Sequence, residues 1–216
     1  MLFDELDHTA VQGRRQDPHP GLGPLCEEAD RLGVLAAQGE LAVFLGAGVS
    51  MAAGLPSWGQ LLAELATVSG VGPSLLALPA LDAASVAHSA MGEALEPWMV
   101  KRFTTQGHAV AHALLASLNC EAVLTTNYDD CYEHARPYAK VLPRERAQAG
   151  QPWLLKLYGD VAQPKSIVLT RKQYLEHGEV RAPLSGLVQA QLLTSHLMFV
   201  GFSFAWPSQP VQLVAV

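Results

Sequence analysis

The sequence predicts an α/β fold: a doubly wound, mostly parallel sheet of Rossmann-like type with a small helical insert. Three observations predict it. Residues 41–45, 122–125, 153–157 and 197–200 are short apolar runs, and such runs suit strands buried on both faces of a parallel sheet. Segments of helical character separate them, which implies right-handed crossovers. Each run also ends at a glycine or polar turn: Gly46, Thr126, Tyr158-Gly159 and Gly201.

Residues 1–24 are polar, with Gly, Pro and His clustered from Gly13 to Pro24, and read as a loose arm. Pro24 stands where a first helical turn begins. Good helix formers run from Leu25 to Ala37, and Gly39 ends them. The first strand, 41–45, leads into the turn Gly46-Ala47-Gly48-Val49-Ser50. After Gly54 and Pro56 a helix starts at Ser57 and runs to Val68. Residues 75–118 are Ala-rich and helical in character, cut by Pro79, Pro97 and Gly107, and form the insert. The second half alternates. Strand 122–125 is followed by a short helix from Asp129 to Ala135, then by strands at 140–142 and 153–157 and the apolar stretch Ile167-Val168-Leu169. Thr170 and Gln173 have capping-box spacing for a helix through Tyr174 and Leu175. A further helix spans 184–193, and the last strand, 197–200, closes at Gly201. Residues 25–216 thus read as one domain.

Composition excludes several classes. Half of the 216 residues are apolar and 16% are charged, enough apolar surface for a full core. The net charge of −6 gives no positive excess for binding nucleic acid directly. Three Cys without a C-x-x-C pair exclude a disulfide framework and a four-Cys zinc module. No apolar run is long enough for a bilayer, and no signal-type apolar stretch follows the N-terminus. The expectation is a cytoplasmic chain without a membrane segment.

Four turns could carry chemistry. The Gly46-Ala47-Gly48 turn before Ser50 lets a backbone approach a phosphate, with amide N–H groups and a helix start supplying partial positive charge. A tight strand-to-helix turn without ligand is the alternative. The dehydrogenase fingerprint G-x-G-x-x-G fails at Met51. Glu64 has the spacing of a ribose-binding acid but falls inside a predicted helix, so a hydride-transferring enzyme is disfavoured. In an open α/β sheet, ligands sit beyond the carboxyl ends of strands. There Thr126, Asn127 and Asp129 would project towards the same crevice as Gly46. Alternatively, Thr126 or Asn127 caps the next helix while Asp129 and Asp130 complement its dipole. The segments Lys156-Leu157-Tyr158-Gly159-Asp160 and Val200-Gly201-Phe202-Ser203 occupy two more strand ends, and together the four turns describe one rim.

Other constellations are weaker. His108 and His112 are four residues apart on a predicted helix with no third ligand, and a solvated helix face is expected. Cys131 beside Asp129 and Asp130 has no His partner and acidic neighbours that raise its pKa. Ser203 lacks the G-x-S-x-G elbow, because position 205 is Ala205. Trp58, Trp98 and Trp153 read as packing residues.

The four turns, together with Gly54-Leu55-Pro56-Ser57-Trp58, Ser166-Ile167-Val168-Leu169-Thr170 and Tyr174, resemble the sirtuin-like NAD-binding family. The likeness is to its bacterial antiviral-defence branch and runs from about Leu41 to Phe204. The resemblance implies that Gly46, Ala47, Gly48, Ser50 and Thr126 line NAD, that Asn127 holds the ribose beside nicotinamide and a water, and that Asp129 contacts the nicotinamide side. It implies that Gly201 and Ser203 approach the adenine-side ribose or phosphate. Protein-deacylating relatives carry a four-Cys zinc module that this chain lacks, so deacylation is not expected, and no metal is. Defence-type relatives cleave NAD to nicotinamide and ADP-ribose.

Two departures bear on this. Tyr158 stands where the family usually has His, and an unperturbed Tyr, with a pKa of about 10, is a poor base at neutral pH. Relatives also carry an acidic residue soon after the last glycine-serine turn. Here Phe204 is followed by Ala205-Trp206-Pro207, and the segment to Val216 reads as truncated or frame-shifted. The resemblance therefore supports an NAD glycohydrolase using Asn127, Asp129 and Tyr158. An NAD- or ADP-ribose-binding regulatory module, or a fragment of a longer protein, remains the alternative. A defence-system partner protein or a second copy of the chain is a candidate partner.

Overall fold

A computed structural model describes residues 23–180 and 182–202 of the protein. Five strands form one sheet: β1 Leu41–Leu45, β2 Ala122–Thr125, β3 Lys140–Leu142, β4 Trp153–Lys156 and β5 His196–Val200. Their order is β3-β4-β2-β1-β5, and every neighbouring pair is parallel. The helices are α1 Gly23–Ala37, α2 Ala47–Met51, α3 Trp58–Val68, α4 Ala80–Met91, α5 Leu95–Phe103, α6 Val110–Ser117, α7 Cys131–Ala135, α8 Arg171–Val180 and α9 Ala182–Thr194. None of the described helices is long and apolar enough to cross a membrane.

The period-two geometry of a strand divides the core. Leu41, Val43 and Leu45 of β1 join Val123, Val141 and Leu154 on one face, under Leu35 of α1, Ala116 of α6 and Tyr132 of α7. Ala42 and Phe44 join Leu124 and Leu155 on the other face, against Leu184 of α9. All residues of β1 and β2 are buried, which explains why both read as unbroken apolar runs. A third cluster lies beside the sheet, where Leu61, Leu62 and Leu65 of α3 pack with Ala83, Ala84 and Ala87 of α4, and with Met99 and Phe103 of α5. Alanine on the buried face of α4 allows close approach there. The segment 75–118 is not uniform in its packing, because α4 and α5 join this third cluster while α6 joins the sheet's own.

Register sets the rim. Val200, Leu45, Thr125 and Lys156, the last residues of β5, β1, β2 and β4, pair in one row across the sheet. The segments that follow them therefore leave the sheet side by side.

Several local expectations are refined. The glycine turn after β1 holds one helical turn, α2, despite its low propensity. Helix α3 starts behind a capping box, in which Ser57 Oγ accepts from the Gln60 amide and Gln60 Oε1 accepts from the Ser57 amide. Gln173 Oε1 accepts from the amides of Thr170 and Leu169 at 2.9 Å, as the spacing of Thr170 and Gln173 predicts. Residues 167–169 form no strand. Ile167 and Leu169 are buried in the third cluster, and the Val168 amide bonds the Tyr158 carbonyl at 2.8 Å. The expectation of a solvated His108/His112 face is corrected. α6 begins at Val110, so His108 lies outside it and is exposed, while His112 is 1% exposed. The first 22 residues of the predicted arm, Ser203 and the segment from Phe204 to Val216 lie outside the described residues.

Candidate functional site

A cleft opens at the rim between the ends of β1 and β2 on one side and α3, α4, α5 and α8 on the other. The space between these elements, open solvent at the mouth included, is about 770 Å³. Ala47, Ser50, Thr126, Asn127, Asp129 and Tyr158 all line it, so six of the expected site residues share one cleft. The sequence assigns no site role to Trp58, Leu81, Phe103 or Tyr174, which supply apolar and aromatic wall. The motifs quoted above contain Trp58 and Tyr174. No sequence signal singles out Leu81 and Phe103, because they arrive from α4 and α5 through tertiary packing.

Asn127 is held from two sides. Its Nδ2 donates to Gly46 O at 3.0 Å and to Ser50 Oγ at 2.9 Å. A carbonyl can only accept, so the amide orientation is fixed by Gly46. Both N–H groups are then committed, and Oδ1 is the atom free in valence to accept a hydrogen bond from water or a ribose hydroxyl. The Asn127 amide donates to Thr125 Oγ1 at 3.0 Å, which itself donates to Leu45 O at 3.0 Å. This chain of bonds joins β1 to the loop after β2, and Asn127 does not cap α7.

Asp129 is 5% exposed, and its Oδ1 accepts from the Cys131 amide at 3.1 Å. It thus satisfies the first amide of α7 and also faces the cleft. Asp130 Oδ1 accepts from the Thr105 amide at 2.8 Å and from Thr105 Oγ1 at 2.7 Å, tying the loop to the end of α5. Among the described lining residues, Asp129 is the one with a charged side chain.

Tyr158 sits edge-on to His177, with centroids 5.3 Å apart, and near Tyr174 at 5.9 Å. Burial, reinforced by Tyr174, pushes its phenol above the ordinary tyrosine range, so it stays neutral at physiological pH. Burial likewise raises Tyr128.

The three site glycines meet one another. The Gly46 amide donates to Val200 O at 2.8 Å and the Gly48 amide to Gly201 O at 2.9 Å. A Cβ on Gly48 would stand 2.8 Å from Gly201 O, and one on Gly46 would stand 2.7 Å from it. Gly201 has φ +78°, where side chains are strained. These glycines let the β1–α2 turn close onto the end of β5, and none of them lines the cleft. Glu64, which has the spacing of a ribose acid, instead makes a two-bond pair with Arg102 at 2.7 and 2.9 Å.

His112, Asp129 and Cys131 place potential ligand atoms within 4.8 Å of one another. Burial lowers the pKa of His112, opposed by Asp129, and its Nδ1 accepts from the Ala109 amide at 3.3 Å. The neutral ring therefore carries its proton on Nε2. Burial, then Asp129, pushes the Cys131 thiol up to about 12. A cation here would have to displace the Cys131 proton, and ligation by either ring nitrogen of neutral His112 would cost the Ala109 bond.

An open parallel sheet with a cleft at its strand ends is a Rossmann-like α/β domain. A family model described as the SIR2-like domain matches residues 121–208. The chain is also similar to three curated proteins, each called NAD(+) hydrolase ThsA. It is 29% identical over 188 residues to the one from Enterococcus faecium, covering 79% of this chain and 38% of the relative. It is 26% identical to the one from Acinetobacter baumannii (strain 532279), covering 83% and 39%. It is 27% identical to the one from Bacillus cereus (strain MSX-D12), covering 77% and 38%. The chain thus resembles the bacterial antiviral-defence branch of SIR2-like proteins at modest identity, and it spans about two fifths of the length of these relatives.

Proposed function

We propose that this domain binds NAD in the cleft and hydrolyses it to nicotinamide and ADP-ribose, as part of bacterial antiviral defence. The observation that carries the reading is the convergence of Ser50, Asn127 and Asp129 on one cleft, with Asn127 bonded to both Gly46 and Ser50. The names of the similar proteins support it.

Breaking the nicotinamide–ribose bond builds positive charge on the sugar and releases neutral nicotinamide, so no strong acid is required. Asp129, the charged side chain of the described lining, stabilises that charge electrostatically in a low-dielectric setting. Asn127 Oδ1 orients the attacking water, which bonds to the cationic carbon and passes its surplus proton to solvent water. Apolar walls from Trp58, Leu81 and Phe103 keep other water away. Tyr158, held neutral, hydrogen-bonds a ribose hydroxyl and does not act as base. Ala47 and Thr126 border the rest of the dinucleotide, and Gly201 acts from behind as the backbone on which the Gly46-Ala47-Gly48 turn closes. No residue role in this reading requires a metal. The domain works in the cytoplasm, with a defence-system partner or a second copy as regulator.

The buried, high-pKa Tyr158 favours a second reading, an NAD- or ADP-ribose-binding module with little turnover. Chromatography of NAD incubated with the chain decides between them. ADP-ribose formation that drops at least about 100-fold in Asn127→Ala supports hydrolysis. Calorimetric NAD binding without product supports the binding module, and neither binding nor product sinks both.

A further inference from the structure

Lys156 ends β4 and is 1% exposed, one of the most deeply buried charged side chains described. Its Nζ donates to the carbonyl oxygen of Tyr128 at 3.2 Å, to that of Asp129, and to Asp160 Oδ1 at 3.4 Å. Those three bonds use all three N–H groups of an ammonium. Glu133 Oε1 lies 2.8 Å away but outside hydrogen-bond geometry, so that attraction is Coulombic. Arg144 Nη1 holds the other oxygen of Asp160 at 2.5 Å. Two cations and two carboxylates therefore balance in the interior, which a buried ammonium requires.

The placement of this group matters more than its charge count. The two carbonyls it captures belong to the loop between β2 and α7 that carries Asn127 and Asp129. Tyr128 O also receives the Val161 amide at 3.0 Å, whereas the bond described at Asp129 O comes from Lys156. With its carbonyl drawn down to Nζ, Asp129 has its carboxylate at the cleft and at the Cys131 amide. Releasing the two carbonyls would free the peptide planes on both sides of Asp129, and with them the backbone torsions that set the direction of its carboxylate.

We infer that Lys156 is a positioning residue of the cleft: from beneath the sheet rim it fixes the two peptide planes that flank Asp129, next to Asn127 in the same loop, with Glu133 and Asp160 balancing its charge. The inference deepens the NAD-cleaving reading and rests on it for its kinetic part. Glu133 supplies the balancing charge without bonding the loop, so its neutralisation alone leaves the loop in place.

Two variants test this. Lys156→Met combined with Glu133→Gln removes the cation together with one carboxylate it would orphan. Lys156→Arg keeps the charge but presents a planar fork that cannot reach two adjacent carbonyls and a carboxylate in the same geometry. Circular dichroism melting, calorimetric NAD affinity, kcat and KM, and hydrogen exchange of the amides from 127 to 131 are measured on both and on Glu133→Gln. Expected for both Lys156 variants are NAD affinity and KM within about threefold of the parent, kcat lower by on the order of 100-fold, and faster exchange confined to 127–131. Glu133→Gln alone retains kcat. A kcat within about threefold of the parent, or unchanged exchange at 127–131 in folded Lys156→Arg, overturns the inference. A parent chain without turnover refutes the NAD-cleaving reading alone, and the exchange measurement still decides whether Lys156 holds the loop.

Discussion

Cys131 shows how one neighbourhood sets the chemistry of a side chain. The thiol is fully buried, and burial followed by Asp129 pushes its pKa up to about 12. Near pH 8 only about one molecule in 10,000 then carries the thiolate that alkylating reagents attack. Cys120 is buried with a raised pKa as well, whereas Cys26 on α1 is exposed. Iodoacetamide at about pH 8 is therefore expected to label Cys26 in the native chain, and all three cysteines once denatured. Peptide mapping by mass spectrometry checks it, and rapid native labelling of Cys131 refutes it. Asn127 and Asp129 were legible from sequence because they follow an apolar strand in an α/β pattern. Lys156 has its own signature in the sequence: a lysine closing the apolar run Trp153-Leu154-Leu155, with an acid four residues on. A charge in a run that must be buried on both faces has to meet partners inside, and Asp160 and Glu133 are those partners.

At the scale of elements, the strands were legible and the glycine turn was only half so. Apolar runs place β1, β2 and β4 because both sheet faces are covered there, leaving no polar alternation to confuse the reading, whereas β5 is an edge strand that is only half-buried although its sequence is as apolar. Residues 167–169 show the limit of that rule. They are as apolar as a strand but join no ladder, and Ile167 and Leu169 pack into the third cluster instead. At Gly46, Gly48 and Gly201 the sequence points to phosphate binding, and the structure adds a contact between two backbone segments that no local pattern encodes. It makes a prediction with an unusual sign. Within a helix, Gly→Ala ordinarily stabilises by up to about 1 kcal/mol. At Gly48 the new Cβ would stand 2.8 Å from Gly201 O and 2.9 Å from its Cα. Such overlap with backbone costs about 1–3 kcal/mol, so Gly48→Ala is expected to lower stability in urea unfolding. Equal or greater stability would remove this account of the turn.

For the whole molecule, the sheet brings four strand ends into one row, and the helices from the insert and α8 wall off the space above it. The row follows from parallel register, which sequence anticipates once the strands are found. The wall follows from packing between α3, α4 and α5, whose partners are settled only in three dimensions. Packing of α6 on the sheet buries His112, which sequence spacing alone put on a solvated face, and this has a global consequence. Burial holds the folded-state pKa of His112 below its usual value near 6.5. The unfolded chain therefore binds a proton at a pH where the folded chain does not. Stability from this group is complete above about pH 6.5 and is lost as pH falls through that value towards the lower folded pKa, with a slope of at most about 1.4 kcal/mol per pH unit for one proton. Glu133 acts with opposite sign. Burial raises its folded pKa above 4.5, so its contribution falls as pH rises through the window above that value. Comparing urea midpoints of the parent and His112→Gln between about pH 5 and pH 8 isolates the histidine. The difference between the two is expected to shrink on acidification, because only the parent loses this term. A difference that stays constant with pH would mean that His112 titrates alike in the folded and unfolded chain, and that its burial beside Asp129 has no thermodynamic consequence.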